Sequence, residues 1–209
     1  MAWVEAAVVV YLRTLIDRIE PYQQNPLPNF GGLGPIELGR EIATLVMLLT
    51  VGWLAGKNFR HRVAYALIAF GVWDIFYYLF LAPMSGWPRT IFDWDILFLI
   101  TLPWWGPVIA PASIAALMIA GGTLVTQFDA TARRASWFAS SAGALIALAV
   151  FMRDALIAAR AGEIAIRNVL PTQFDWASFA IGFALMSAPI AEMIWKMRVG
   201  INLFARERA

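Results

Sequence analysis

At 209 residues, with 61% apolar residues, 14% charged residues and a mean hydropathy of +0.68, the chain has room for five or six membrane spans and none for a separate soluble domain. The absence of cysteine and the single histidine, His61, exclude disulfides, thiolate metal sites, thiol catalysis and bis-histidine haem ligation within the chain. A formal charge of +2 does not imply nucleic acid, because the basic residues flank apolar runs, where membrane topology accounts for them.

The N-terminus lacks the basic n-region and small-residue cleavage site of a secretory signal, so it is expected to stay on the chain. From Trp3 to Ile19, Arg13, Thr14, Asp17 and Arg18 share one helical face, and Leu12, Leu15, Ile16 and Ile19 share the other. This pattern predicts an amphipathic helix lying in the interface and ending at Pro21. Pro21, Pro26, Pro28 and Pro35, interspersed with Gly31, Gly32 and Gly34, predict an extended arm. Residues 1–38 are thus set apart from a transmembrane helical domain over 39–209.

Span 1 is expected to begin with Pro35 at its first helical position and to run to about Gly56, with Glu37 and Glu41 favoured by the positive end of the helix dipole. Gly52 and Gly56 form a GxxxG suited to close packing. Span 2 follows the basic stretch 57–62 and reaches about Ala82, where Pro83 should stop it. The uncharged run from Ile96 to Phe128 is too long for one span and too short for two with a turn. Pro103, Pro107 and Pro111 divide it, predicting a half-helix from about Trp94 to Leu102, a break, and span 3 from about Pro107 to Gln127. Three placements stay open for 94–106: flat at the interface, re-entrant, or a sixth span. Span 4 covers about Ala135 to Phe151, with Ala135, Ala139, Gly143 and Ala147 as a small-residue stripe. A second amphipathic helix is expected over Arg153 to Asn168, then span 5 from Trp176 to Met197. The fold class is therefore all-α, a polytopic transmembrane bundle of about five spans plus the half-helix and two interfacial helices.

Nine of the sixteen Lys and Arg fall on one side: Lys57, Arg60, Arg62, Arg133, Arg134, Lys196, Arg198, Arg206 and Arg208. Basic density in short loops sets topology, so the expected placement is an inner membrane with the C-terminus cytoplasmic and the N-terminus outside. Acidic residues and Trp87, Trp94, Trp104, Trp105 and Trp176 collect on the outer side.

Asp74 is the most informative residue. It sits near the bilayer midplane, where an aspartate costs about 2.5 to 3.5 kcal/mol to insert, so it should face other helices and pair with a donor or be protonated. Tyr77 and Tyr78, at i+3 and i+4, are the expected donors. The same residue reads as a proton- or cation-carrying group or as a lock between helices. Glu192 reads as a structural partner of Lys196 one turn on. In the WPRTIFDWD segment Arg89, Asp93 and Asp95 offer two close carboxylates, for which helix capping is the simpler account: Asp93 as N-cap and Asp95 in the first turn. Trp104, Trp105 and Pro107 mark the break, either as interfacial anchors or as exposed backbone that coordinates a substrate.

No nucleophile, phosphate loop, metal set or cofactor motif is visible, so neither an enzyme nor a cofactor is expected. The first functional reading is a non-catalytic accessory or scaffolding subunit of a larger membrane complex. Its partners would be the bilayer, other integral subunits or further copies of itself, and a basic soluble protein on the acidic outer face. The alternative is a small proton- or ion-coupled transporter or channel-like protein built around Asp74.

Overall fold

The computed structural model describes residues 1–22, 33–100, 102–162, 170–171 and 173–206. Along the chain these form α1 (Ala2–Leu15), α2 (Leu33–Ala55), α3 (Phe59–Ser85), β1 (Trp94–Phe98), β2 (Trp104–Pro107), α4 (Ile109–Phe128), α5 (Arg134–Ala159) and α6 (Trp176–Arg206). Helices α2 to α6 are each long and apolar enough to cross a bilayer, which makes the chain a multi-pass helical membrane protein. Both α1 and α2 pack on α3, α3 on α4, α4 more lightly on α6, and α6 on α5.

Local sequence accounts for several helix ends. The Asn58 side chain caps α3 by accepting from the His61 amide at 2.9 Å. Gly86, at φ 72°, ends the same helix, its amide donating to the Ala82 carbonyl. Pro83 does not stop α3 as expected; it lies inside the last turn, where only one internal hydrogen bond is forfeited. Pro111 sits in the first turn of α4, where backbone amides lack helical partners in any case. Helix α5 continues past the expected Phe151 to Ala159, so Arg153 and Asp154 extend a span rather than begin an interfacial helix. The rest of that expected helix, 163–168, and most of the Pro/Gly-rich arm, 23–32, lie outside the described residues.

Small residues set the closest helix approaches. A Cβ on Gly52 would lie 2.5 Å from the Ala66 amide nitrogen, so the GxxxG of α2 is the seam with α3. A Cβ on Gly143 would lie 2.4 Å from the Gly182 carbonyl, and Ala147 is buried one turn further on. Ala135, at the start of the same stripe, stays exposed.

The main correction concerns 94–107. This segment is an antiparallel hairpin, not a half-helix: Trp94 pairs with Pro107, Asp95 with Gly106, Ile96 with Trp105 and Phe98 with Trp104, with an irregularity between Ile96 and Phe98. Pro103 and Pro107 disfavour helix, while tryptophan, isoleucine and phenylalanine suit a pleated surface. Hydrogen bonds from the Val108 amide to Asp93 and the Ile109 amide to Ile91 extend the pairing into α4. The hairpin lies against α5 closely enough that a Cβ on Gly106 would meet the Phe151 ring at 2.8 Å. Trp105 is 2% exposed, which overturns its reading as a flat interfacial anchor.

A buried charged cavity between the N-terminal helices and the hairpin

Three helical stripes and one strand converge on a cavity of about 100 Å³. Glu5, Val9, Leu12, Arg13 and Ile16 form one face of α1, and Glu37, Arg40, Glu41 and Thr44 form one face of α2, both at helical spacing. Helix α3 supplies Trp73, Asp74, Tyr77 and Tyr78, and β1 supplies Asp95.

The amphipathic reading of α1 is redrawn here, because Arg13 lines the cavity beside Leu12 and Ile16 of the expected apolar face while Thr14 and Leu15 are exposed. Arg13 is 8% exposed and faces the bundle, whereas Leu15 is 77% exposed and faces away. The helix also ends at Leu15 rather than Pro21. An outward face of leucine, valine and aromatic side chains suits hydrocarbon, and the bundle interior offers Arg13 a counter-charge.

That counter-charge is Asp95. Arg13 Nη2 donates to Asp95 Oδ1 at 2.7 Å, the Tyr78 hydroxyl donates to Oδ2 at 3.2 Å, and the Ile96 amide donates to Oδ1 at 2.8 Å. The Arg13 guanidinium also stacks 4.3 Å above the Trp87 ring. Burial pushes the Asp95 carboxyl above its usual range, opposed by Arg13 and these hydrogen bonds. Asp95 is therefore a strand residue in an ion pair, not a carboxylate in the first turn of a helix.

A second cluster ties α1 to α2. Arg40 pairs with Glu5 and Glu37, and Thr44 Oγ1 donates to Glu5 at 3.1 Å. Glu41 accepts the Leu99 amide of the hairpin with both oxygens, at 3.1 and 3.0 Å. Glu37 and Glu41, read from sequence as dipole partners, are instead pieces of this cavity.

Asp74 is the exception. It is 8% exposed near the middle of α3, and its Oδ2 has no hydrogen-bond partner among the described residues. The neighbouring Trp73 Nε1 is likewise buried without an acceptor. Neither expected tyrosine donor serves Asp74: Tyr78 turns to Asp95, and Tyr77 stacks against Trp73 with ring centroids 6.2 Å apart. The cavity lining counts Glu5, Glu37, Glu41, Asp74 and Asp95 against Arg13, Arg18 and Arg40, so carboxylates outnumber guanidiniums.

The other sequence candidates lie elsewhere. Asp93 closes the turn before β1, accepting the Arg89 amide at 2.6 Å and the Thr90 hydroxyl at 2.8 Å, and so caps a turn rather than a helix. Its slight burial works against the charged form, but the bonds from Thr90 and Arg89 prevail and hold the carboxyl below its usual value. The Arg89 side chain pairs with Glu20 on the surface. Trp104 Nε1 donates to the Ile100 carbonyl at 3.1 Å, and Pro107 ends β2. Glu192 stands apart from the cavity, bonded to Lys196 at 2.7 Å, Arg133 at 3.0 Å and Ser136 at 2.5 Å, and is a structural link between α5 and α6.

Sequence reading missed Glu5, Arg13 and Arg40. The available signal was that each sits at i+3, i+4 or i+8 from another polar or small residue of an otherwise apolar helix. Among the described residues no group of three His, Asp or Glu side chains is arranged to hold a metal ion. No protein-family model, no curated protein and no solved structure matches this chain.

Proposed function

We propose that this chain is a small inner-membrane protein that takes up a proton or a small cation at Asp74, within a proton- or ion-coupled transport role. One observation carries the reading: a buried carboxylate oxygen inside a span, facing a cavity in which carboxylates outnumber guanidiniums, has no partner among the described residues. An ionised carboxylate in hydrocarbon needs a counter-charge or donor, and of the lining cations Arg13 and Arg40 are engaged with other carboxylates while Arg18 donates to the Pro21 carbonyl. A proton or cation entering the cavity completes the site. Trp73, whose indole N–H beside Asp74 has no acceptor among the described residues, orients a water or ligand acceptor at the same place.

With the basic end on the cytoplasmic side, as the basic density of the loops predicts, the cavity lies toward the outer half of the membrane, away from the Arg60–Asp129 and Arg133–Glu192 pairs. The deciding experiment is proton and monovalent-cation flux into proteoliposomes. Flux that disappears in Asp74→Asn and persists in Arg89→Gln supports the reading. Flux absent from the wild type, or unchanged in Asp74→Asn, removes it.

A subunit role in a larger complex draws on a different observation. Helix α2 packs chiefly on α3 and leaves Val46, Leu49, Trp53 and Leu54 at least half exposed. Lipid or a neighbouring integral protein covers that face. Purification in mild detergent separates the two: a stoichiometric partner lost in Leu49→Arg supports the subunit role, and a lone monodisperse chain counts against it.

A further inference from the structure

At the basic end of the bundle, α3 pairs with α4 and α5 with α6, and the two pairs meet where α4 approaches α6. That contact is narrow. A Cβ on Gly121 would lie 3.3 Å from Ile190, and Ala64, Val125 and Met193 form a small buried cluster beneath it. Beside the contact the pairs diverge around a groove of about 560 Å³. Val63 and Leu67 of α3, Met118 of α4, Ala144 of α5 and Ile190 of α6 wall it, and almost all of its surface is carbon. Arg60 and Trp137, from the first turns of α3 and α5, stand at its mouth.

We propose that this groove is a binding site for an anionic phospholipid, with one acyl chain between the two helical pairs and the phosphate at the basic mouth. An apolar groove of this volume loses dispersion contacts along its wall unless chain-like apolar matter fills it, and within the bilayer that matter is an acyl chain. The headgroup charge follows from the mouth. Lys57, Arg60, Arg62, Arg133, Arg134, Lys196 and Arg198 lie at this end against only Asp129 and Glu192 among the described residues. Arg60 itself pairs with Asp129, whose side chain is 79% exposed; such a solvated pair contributes little and yields readily to a phosphate. Basic pockets between helices at a cytoplasmic boundary suit anionic headgroups on the same grounds. Trp137, 44% exposed at the mouth, suits interfacial depth. The site is independent of Asp74 and lies at the other end of the bundle.

The test is native mass spectrometry of the full chain, equilibrated in detergent with phosphatidylglycerol or with phosphatidylcholine of the same acyl chains. One retained phosphatidylglycerol, held several-fold more strongly than phosphatidylcholine, is expected. Ala144→Phe fills an exposed part of the groove and should abolish the adduct, while Arg60→Gln should reduce the preference between the lipids. Equal retention of both lipids, an adduct unaffected by Ala144→Phe, or a second protein chain in place of the lipid overturns the proposal. A measurement on the native sequence stands beside these variants. The fluorescence lost between wild type and Trp137→Phe should be quenched more by chain-brominated phosphatidylglycerol than by its phosphatidylcholine counterpart, and equal quenching overturns the proposal as well.

Discussion

Arg13 on α1 and Asp95 on β1, 82 positions apart, meet at 2.7 Å with side chains 10% and 1% exposed. This pair fastens the N-terminal helix to the hairpin and closes one wall of the cavity. Removing one partner leaves a buried charge without compensation, which typically costs about 3 to 5 kcal/mol. Arg13→Ala should therefore lower the unfolding temperature in detergent markedly, and the double replacement Arg13→Met with Asp95→Leu should recover much of the loss. A double replacement as unstable as the single one would sink this account.

The same pair sets a pH dependence. The folded-state value of Asp95 is raised by burial, so its contribution is fully present below the unfolded carboxylate value of about 3.9 and is lost as pH rises through the folded value. Arg13 holds that value down, and its removal raises it further. The stability deficit of Arg13→Ala should thus shrink on acidification and grow toward neutral pH. Thermal unfolding of both proteins across that range tests the sign.

Asp74→Asn separates a working carboxylate from a lock between helices. Because Oδ2 accepts no hydrogen bond from the described residues, the substitution removes an uncompensated group and should leave the unfolding temperature unchanged or raise it. A clear drop in stability would show that Asp74 holds α3 to a neighbour.

The Leu99 amide donates to both oxygens of Glu41, across 58 positions. Glu41→Ala should leave that amide unsatisfied, at a cost of about 1 to 3 kcal/mol, and speed hydrogen exchange at Leu99 before the transmembrane helices are affected. Unchanged exchange there would mean that the hairpin does not depend on α2.

The Asp175 side chain accepts the Ser178 amide at 3.0 Å and the Ser178 hydroxyl at 2.8 Å, capping α6. The bond from the Ser178 amide, followed by the hydroxyl, holds the carboxyl below its usual range. The cap is complete above the ordinary carboxylate value and is lost as pH falls through the lowered one. Amide exchange at Ser178, corrected for intrinsic rates, should accelerate in that acid window and at all pH values in Asp175→Ala.

The five spans, the gathering of basic residues at one end and the placement of Asp74 inside a span were legible in the residues alone, because hydrocarbon imposes length and apolarity on each helix separately. The identity of the cavity was not. Arg13 and Asp95 read as a solvated arginine and a capping aspartate when each is judged against its own helix. Only the packing of α1 on α3, with the hairpin beside them, brings the two together and turns Arg13 inward. The hairpin was hidden for a related reason: WDILF and PWWGP are apolar in any conformation, and short runs of this kind do not display a period. Their choice between helix and strand was made by where the backbone amides find partners, including the Glu41 carboxylate, and that is a property of the folded chain.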